Sequence, residues 1–294
     1  MGKGLLDDAI VKYRQLLEEE LRSSVRRLEA PESLKEAMLY SLEAGGKRIR
    51  PMLVFAAMDA FGRNPEEGIA AAAAIEMVHT YSLIHDDLPS MDDDDLRRGK
   101  PTNHKVFGEA LAILAGDALL TYSFELLGDM DAAPETKLKL VAGLAKAAGA
   151  AGMVGGQAAD MEGEDKELTL EQLEHIHINK TGRLLTFSVL AGAILSDADE
   201  EKLGMLSRFA FHLGLAFQIR DDILDLEGDV GTIGKPVGSD TANHKSTYPK
   251  LLTLEGAKEA LETHIIKARE ELDKTGLDTK LLLEITSLIA TRNH

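Results

Sequence analysis

The sequence predicts an all-α protein built from about ten helices. Apolar residues recur at helical spacing along most of the chain, as in residues 3–28, where they form one stripe opposite the charged residues. Ala, Leu, Glu and Lys are abundant, whereas aromatic residues make up only 4% of the 294 residues. This composition favours helices over strands. Alternating β-branched runs extend over only a few residues, so we expect few strands.

The boundaries of the first helices are marked by residues that stop or start a helix. Pro31 ends the first segment, and Ser33 can begin a second that runs to Gly45-Gly46. Pro51 lies early in the third helix, where its missing N–H costs little. The following Asn64-Pro65 pair reads as a cap and a first-turn proline before a long apolar helix.

Two features of the second half of the chain are also predicted. Residues 169–172 read Thr-Leu-Glu-Gln, a capping box that opens a helix extending into the 190s, which Lys180-Thr181-Gly182 interrupts. Residues 228–249 hold four glycines and two prolines, and we expect this segment to be a loop that closes as a lid. The chain contains no Pro/Gly/Ser-rich linker, so residues 1–294 are expected to form a single domain.

Composition excludes several classes of function. The net charge of −17 argues against nucleic acid as a partner, because that binding needs a basic surface. With no Cys, the chain has no disulfide, thiolate nucleophile or Cys-ligated metal. The apolar run 184–196 is too short for a membrane span, and the first eight residues reach acidic residues before any signal-like stretch. We therefore expect a cytoplasmic protein.

Residues 86–95 hold six aspartates in ten positions. Such charge runs are usually solvated surface, but this one ends a helix whose preceding residues are apolar. Carboxylates in that position need a partner, since an unpaired buried charge is costly. In a straight helix Asp93 lies nearly above Asp86 and Asp92 does not, but Pro89 should distort the helix between them. Helical spacing alone therefore leaves open which of Asp92 and Asp93 acts with Asp86.

A second acidic motif occupies residues 217–225, again between apolar residues. Gln218, Asp221 and Asp225 share one face of a helix because they are three and four positions apart. Carboxylate oxygens without Cys suit Mg²⁺ better than zinc. Two aspartate motifs on apolar helices are a more specific signal than either one alone.

Several basic residues accompany these motifs. Residues 45–51 read Gly-Gly-Lys-Arg-Ile-Arg-Pro, which taken alone is a capped helix end but places three cations where an anion can bind. The segment lacks the pattern of a Walker A loop. His79 is seven residues before Asp86 and so shares its face, although a lone histidine there is more often a core residue.

Charge alone suggests two anion sites of different kinds. A protein of net charge −17 with clustered aspartates repels a polyphosphate unless divalent metal ions bridge carboxylate and phosphate. Basic residues away from the acids can bind a second phosphate group directly. This pattern predicts two phosphorylated substrates, one bound through metal and one without it.

Five motifs, taken in order, resemble the signatures of the trans-polyprenyl diphosphate synthases. They are residues 45–51, residues 85–99 (His-Asp-Asp to Asp-Leu-Arg-Arg-Gly), Gly155-Gly156-Gln157, Lys180-Thr181-Gly182 and residues 217–225. The longer first motif, Asp-Asp-x-x-x-x-Asp, is similar to that of the bacterial farnesyl diphosphate synthase group. The resemblance implies about ten mostly antiparallel helices around a central cavity, a homodimer, and three Mg²⁺ ions per active site.

The resemblance also implies roles for individual residues. The carboxylates that would hold Mg²⁺ are those of Asp86, Asp87, Asp92, Asp221, Asp222 and Asp225, with Asp92 favoured over Asp93. The allylic diphosphate would be held by Arg97, Lys180, Lys235 and Lys245. Isopentenyl diphosphate would be held without metal by Gly46, Lys47, Arg50, His79 and Arg98. Thr181 and Gln218 would stabilise the allylic cation.

The expected product is farnesyl diphosphate (C15), made from isopentenyl diphosphate with dimethylallyl and geranyl diphosphate. Tyr81 and Ser82, about one turn before Asp86, would limit the chain length, although Tyr81 could merely pack in the core. The alternatives are a geranylgeranyl diphosphate synthase with a C20 product, a terpene cyclase, which needs no second phosphate site, and a non-catalytic acidic scaffold.

Overall fold

The computed structural model describes residues 5–227 and 246–292, and it confirms the all-α prediction. The elements are α1 (Leu5–Arg27), α2 (Glu32–Leu42), α3 (Ile49–Ala60), a 3₁₀ turn (Pro65–Gly68), α4 (Ile69–Asp86), β1 (Leu96–Arg97), β2 (Lys100–Pro101), α5 (Asn103–Phe107), α6 (Glu109–Asp129), α7 (Pro134–Ala148), α8 (Met153–Gly163), α9 (Leu170–His177), a π-helical turn (Ile178–Gly182), α10 (Arg183–Leu195), α11 (Glu200–Glu227), α12 (Tyr248–Thr275) and α13 (Lys280–Thr291). The two short strands form an antiparallel hairpin in which Leu96 faces Pro101.

The chain divides into two compact units, which share α3 and α7. The first comprises Met1–Phe55 and Asn64–Val141, and the second comprises Ala56–Arg63 and Ala142–His294. In the first unit α4 packs mainly on α6. This close packing follows from small residues, since residues 71–74 of α4 are four buried alanines, and Gly116 of α6 faces the ring of His85.

The ends of the early helices lie close to the predicted positions. The helix α2 begins at Glu32 rather than at Ser33, because the carbonyl of Pro31 already accepts from Leu34 and Lys35. It ends at Leu42, before the two glycines. The Asn64 side chain accepts from the N–H of Glu66, as its cap role predicts.

In the second unit α11 packs on α12. Their shared core includes Ala216, Ile219, Tyr248 and Ile265. The predicted capping box is confirmed by hydrogen bonds in both directions between Thr169 and Gln172. The stretch that begins there continues through the π-helical turn to Leu195, so the predicted interruption is a change of helix type rather than a break.

Two segments are long and apolar enough to cross a membrane by length and composition alone, namely Glu109–Asp129 and Pro134–Gly163. In the most apolar 18-residue stretch of each segment, 39% and 33% respectively is buried within the protein. Core helices of soluble proteins pass the same test, and the second segment is divided here into α7 and α8. The expectation of no membrane span therefore stays a prediction.

Candidate active site

The first acidic motif folds back on itself after α4. The N–H of Asp92 donates to the carbonyl oxygen of Asp86 at 2.9 Å, whereas the N–H of Asp93 donates to Leu88 at 3.1 Å. Asp93 also has a left-handed φ of 50°. The helix ends before Pro89, as expected, and the turn that follows brings the backbone of Asp92 next to that of Asp86.

Asp87 differs from its neighbours because it is buried and ion-paired. Its residue exposure is 3%, and its two carboxylate oxygens accept from Nε of Arg97 at 2.7 and 2.9 Å. Arg97 also lies 3.3 Å from a carboxylate oxygen of Asp94. The acidic motif and the β-hairpin are thus tied together through one guanidinium group.

The glycine-rich basic segment forms a turn with unusual backbone angles. Gly45 and Gly46 have φ values of 87° and 126°, which favour glycine. The guanidinium carbon of Arg98 lies 2.6 Å from where a Cβ at position 46 would stand, so a side chain there would collide with it. Arg98 also donates to the carbonyl oxygen of Gly45. Gly46 therefore allows the turn and the hairpin to meet.

His79 lies in α4 close to the same cations. Burial, followed by the nearby guanidinium groups of Arg50 and Arg98, holds the pKa of His79 well below its usual value. The imidazole is therefore neutral at physiological pH. A neutral ring offers one N–H donor and one acceptor to a ligand without adding to the repulsion among the arginines.

In the second unit the acidic motif lies in the last three turns of α11. Asp221 and Asp225 are partly exposed, whereas Asp222 is 6% exposed and accepts from the N–H of Tyr248 at 2.9 Å. Asp222 thus holds the first turn of α12. Asp221 has a different partner, since Arg292 lies 2.7 Å from its Oδ1.

A cavity of about 150 Å³ lies beside these residues in the second unit. Its polar lining includes Asp160, His177, Lys180, Gln218 and Asp221. Asp222 lines it as well, so the structure brings together four residues that the sequence predicted for the site, Lys180, Gln218, Asp221 and Asp222, and adds two that sequence reasoning missed, Asp160 and His177.

The π-helical turn presents Lys180 to this cavity, whereas the neighbouring Thr181 is buried and is not part of the cavity lining. A Cβ at Gly156 of α8 would collide with the backbone of Lys180, so the second glycine of the Gly-Gly-Gln motif is explained by the close approach of α8. The Nζ of Lys180 lies 2.7 Å from a carboxylate oxygen of Asp160. A widened helical turn at this position is typical of functional sites.

Three residues of this unit were not predicted. Asp160 pairs with Lys180, and Arg292 pairs with Asp221. His177 stacks on Tyr248 with ring centroids 5.9 Å apart, and its Nδ1 lies 3.4 Å from Nε2 of Gln218. The sequence holds one local signal for these three residues: His177 precedes Lys180 by three positions and therefore lies on the same side of the helix.

The predicted chain-length residues lie in α4, whereas two of the predicted lysines lie outside the described residues. Tyr81 is 5% exposed, and its ring meets that of His85 edge-on at 5.6 Å. The hydroxyl of Ser82 donates to the carbonyl of His79 at 2.9 Å. Lys235, Lys245 and most of the predicted lid lie outside the described residues, and the end of that segment, Tyr248-Pro249, is already part of α12.

Comparison with known proteins identifies the family. The model of the polyprenyl synthetase family matches residues 31–280. The chain belongs to this family. The resemblance predicted from the motifs is therefore confirmed.

Two relatives in the polyprenyl synthetase family match over nearly all of both chains. The chain is 59% identical to farnesyl diphosphate synthase of Geobacillus stearothermophilus over 100% of both chains. It is 57% identical to farnesyl diphosphate synthase of Bacillus subtilis over 98% of this chain and 99% of that one.

A solved structure agrees with the fold. The geranyltransferase of Helicobacter pylori, complexed with magnesium and isoprenyl diphosphate, is 35% identical, with a TM-score of 0.83 over 98% of each chain.

The donor set of this chain fits magnesium. Among the described residues, no three His, Asp or Glu side chains converge as a ready-made ion site. Mg²⁺ is usually bound by one or two carboxylates together with water and substrate phosphates, so it needs no such cluster. Asp86 with Asp92, and Asp221 with Asp225, are the carboxylate groups that would hold the ion.

Proposed function

We propose that this chain condenses isopentenyl diphosphate with dimethylallyl and geranyl diphosphate, releasing diphosphate and giving farnesyl diphosphate. The observation that carries the proposal is the full-length similarity to two farnesyl diphosphate synthases, in a chain that keeps both acidic motifs and the basic turn. The proposal treats residues 1–294 as one catalytic domain, because the reaction needs both motifs. The enzyme is a prenyltransferase of isoprenoid biosynthesis.

The acidic motifs would hold Mg²⁺, with three ions per active site. Asp86, Asp92, Asp221 and Asp225 are its proposed ligands, and Asp87 and Asp222 support them through their contacts with Arg97 and Tyr248. Bound Mg²⁺ supplies charge neutralisation and Lewis-acid stabilisation of the departing diphosphate.

Four cationic side chains would hold the allylic diphosphate, namely those of Arg97, Lys180, Lys235 and Lys245. Arg97 and Lys180 are each fixed by a carboxylate, from Asp87 and Asp160, so their charged groups are oriented before substrate binds. Such preorganisation stabilises the negative charge that develops as the C1–O bond of the allylic substrate breaks.

The second substrate, isopentenyl diphosphate, would bind without metal. Its proposed contacts come from Gly46, Lys47, Arg50, His79 and Arg98. Arginine and lysine side chains give strong charge-assisted hydrogen bonds to phosphate, and the neutral His79 adds a donor. This site in the first unit corresponds to the metal-free anion site predicted from charge.

The reaction then needs no nucleophile from the protein. The double bond of isopentenyl diphosphate supplies the electron pair for the new C–C bond to C1 of the allylic cation. The resulting cation loses a proton, which the released diphosphate accepts. The hydroxyl of Thr181 and the side-chain carbonyl of Gln218 carry partial negative charge that stabilises the allylic cation.

The buried side chain of Tyr81 supports farnesyl over geranylgeranyl diphosphate as the product. Tyr81 is buried one turn before Asp86, where a growing prenyl chain would end. Its phenol fills space that a C20 product would need, and Ser82 leaves the neighbouring position small. The C20 alternative has less support, because the relatives from Geobacillus stearothermophilus and Bacillus subtilis are both named for the C15 product.

We also propose that the enzyme acts as a homodimer in the cytoplasm. Ile113 and Leu114 of α6 are 42% and 54% exposed, and Leu138 of α7 is 69% exposed. A second copy of the chain would cover these apolar side chains. Light scattering of the purified protein should give a molar mass of twice 31.9 kDa, and the substitution Leu114→Glu should lower this mass toward that of the monomer.

One assay tests the proposed function directly. The protein is incubated with isopentenyl and dimethylallyl diphosphates, with Mg²⁺ or with excess EDTA, and the dephosphorylated products are separated by chromatography. We expect C15 product only with Mg²⁺. A mainly C20 product supports the alternative activity, hydrocarbon formed from a single allylic substrate indicates a cyclase, and no diphosphate release indicates a scaffold.

A further inference from the structure

Arg48 lies between two residues assigned to isopentenyl diphosphate, yet it is directed inward. Lys47 is exposed and Arg50 is partly exposed, whereas Arg48 is only 4% exposed. Its Nη1 is ion-paired with Glu76 of α4, and its Nη2 donates to the carbonyl oxygen of Leu42. One guanidinium group thus connects the end of α2 with the middle of α4.

Glu76 is itself buried, with 2% exposure. It is one turn before His79 and therefore lies on the same side of α4. A buried carboxylate needs a fixed cation, and Arg48 supplies one. Because Arg48 is neutralised in this way, it adds little to the repulsion among the other cations of the turn.

The backbone at Arg48 is strained, with a φ of 53°. A left-handed conformation is unfavourable for a residue other than glycine and persists only where surrounding contacts hold it. The preceding Gly45 and Gly46 give the turn many alternative conformations. The contacts of Arg48 with Glu76 and Leu42 can hold the turn in one of these conformations.

We propose that Arg48 and Glu76 form a positioning pair that fixes this turn so that Lys47 and Arg50 are presented to isopentenyl diphosphate. The inference rests on the proposed function and extends it to two residues that touch no substrate. Arginine is required because its planar guanidinium contacts Glu76 and Leu42 at the same time, which a lysine ammonium on a shorter chain does not reproduce.

The test compares the two substrates of one enzyme. For Arg48→Lys and for Glu76→Gln, we expect the KM for isopentenyl diphosphate to rise about tenfold or more. The KM for geranyl diphosphate should stay within about twofold, and kcat at saturation should change little, since losing binding that is equal in the ground and transition states raises KM alone. Calorimetric titration with isopentenyl diphosphate in EDTA should show the same loss of affinity.

A nearby surface ion pair provides a matched control. Arg22 and Glu43 lie 2.8 Å apart, are both exposed, and connect α1 to the residue two positions before Gly45. The substitution Glu43→Gln removes this pair from the same part of the chain without touching the buried one. It should leave both KM values at their wild-type levels.

A double variant separates positioning from stability. Arg48→Met with Glu76→Met replaces the pair by apolar side chains, which often keep a buried site stable. We expect its Tm to exceed that of Glu76→Gln while its KM for isopentenyl diphosphate stays raised.

Three outcomes overturn the inference. They are a lowered Tm with both KM values unchanged, equal increases in both KM values, and loss of the folded state in all three variants. A wild-type protein that forms no prenyl product refutes the proposed function instead, so the two failures are distinguishable.

Discussion

The guanidinium group of Arg292 lies 2.7 Å from Oδ1 of Asp221. Arg292 is buried, its Nη2 donates to the carbonyl oxygen of Phe217, and its guanidinium carbon lies 4.0 Å from the centre of the Phe217 ring. Arg220 in turn donates to the carbonyl oxygen of Arg292. Arg292, which directly follows α13, is therefore bound to the second acidic motif by both side-chain and main-chain contacts.

Because Asp221 is a proposed Mg²⁺ ligand, Arg292 would compete with the divalent cation for its carboxylate. We expect Arg292→Gln to lower the Mg²⁺ concentration that gives half-maximal activity by roughly two- to fivefold, because a fixed positive charge beside the ligand is removed. The measurement is a Mg²⁺ titration of initial rate. Arg269→Gln, at an exposed arginine that bonds Ser287, is the control. An unchanged Mg²⁺ requirement in the Arg292 variant contradicts the competition.

The turn after α4 predicts unequal effects at adjacent aspartates. Asp92→Asn should lower kcat about a hundredfold or more, because it removes a negative charge from a proposed metal ligand whose backbone is bonded to that of Asp86. Asp93→Asn should stay within about threefold of wild type, since Asp93 bonds to Leu88 and asparagine tolerates its left-handed φ.

Two further substitutions test the metal roles. Asp86→Ala and Asp221→Ala should also lose most turnover in a steady-state assay that follows diphosphate release. Near-normal rates in either variant would refute these roles, and a larger loss at Asp93 than at Asp92 would refute the pairing of Asp92 with Asp86.

The size of the side chain at position 81 should determine product length. Tyr81→Ala removes a buried ring beside His85 and opens space for a longer prenyl chain. We expect C20 and longer products, measured by chromatography after dephosphorylation. Tyr122→Phe, at a tyrosine that bonds Ser24 in the same unit, should keep the C15 product. A product spectrum unchanged in Tyr81→Ala would mean that Tyr81 only packs.

Stability should depend on pH through two histidines at the α11–α12 contact. Nδ1 of His212 lies 3.0 Å from Nδ1 of His264. Burial, together with His212 and Lys267, lowers the pKa of His264 to about 4. The unfolded chain therefore binds more protons between about pH 6.5 and pH 4, so the free energy of unfolding falls as the pH drops through that range.

Denaturant titrations across this range check the prediction. His264→Gln should flatten the pH dependence by about 1–2 kcal/mol, a value reduced from the full shift because the ring is partly exposed. His175→Gln, at an exposed histidine of α9, should keep the wild-type slope. An identical slope in the His264 variant would show that the pair does not govern acid stability.

Much of the fold could be predicted because its signals are local. Helical periodicity, prolines at helix ends, the Asn64 cap and the Thr169 capping box each act within one or two turns, and each is present in the structure. The family could also be predicted, since its motifs are short and contiguous. The residues assigned to metal and substrates stay predictions, and the variants above test them.

By itself, the sequence determined the helices, the family and the two acidic motifs, because each depends on residues within a few positions of one another. Tertiary structure decided which contacts neighbouring residues make. It set Asp92 apart from Asp93, turned Arg48 toward Glu76, and joined Arg292 to Asp221. These contacts depend on backbone angles outside helices or on side chains distant in sequence, and no periodic pattern encodes either.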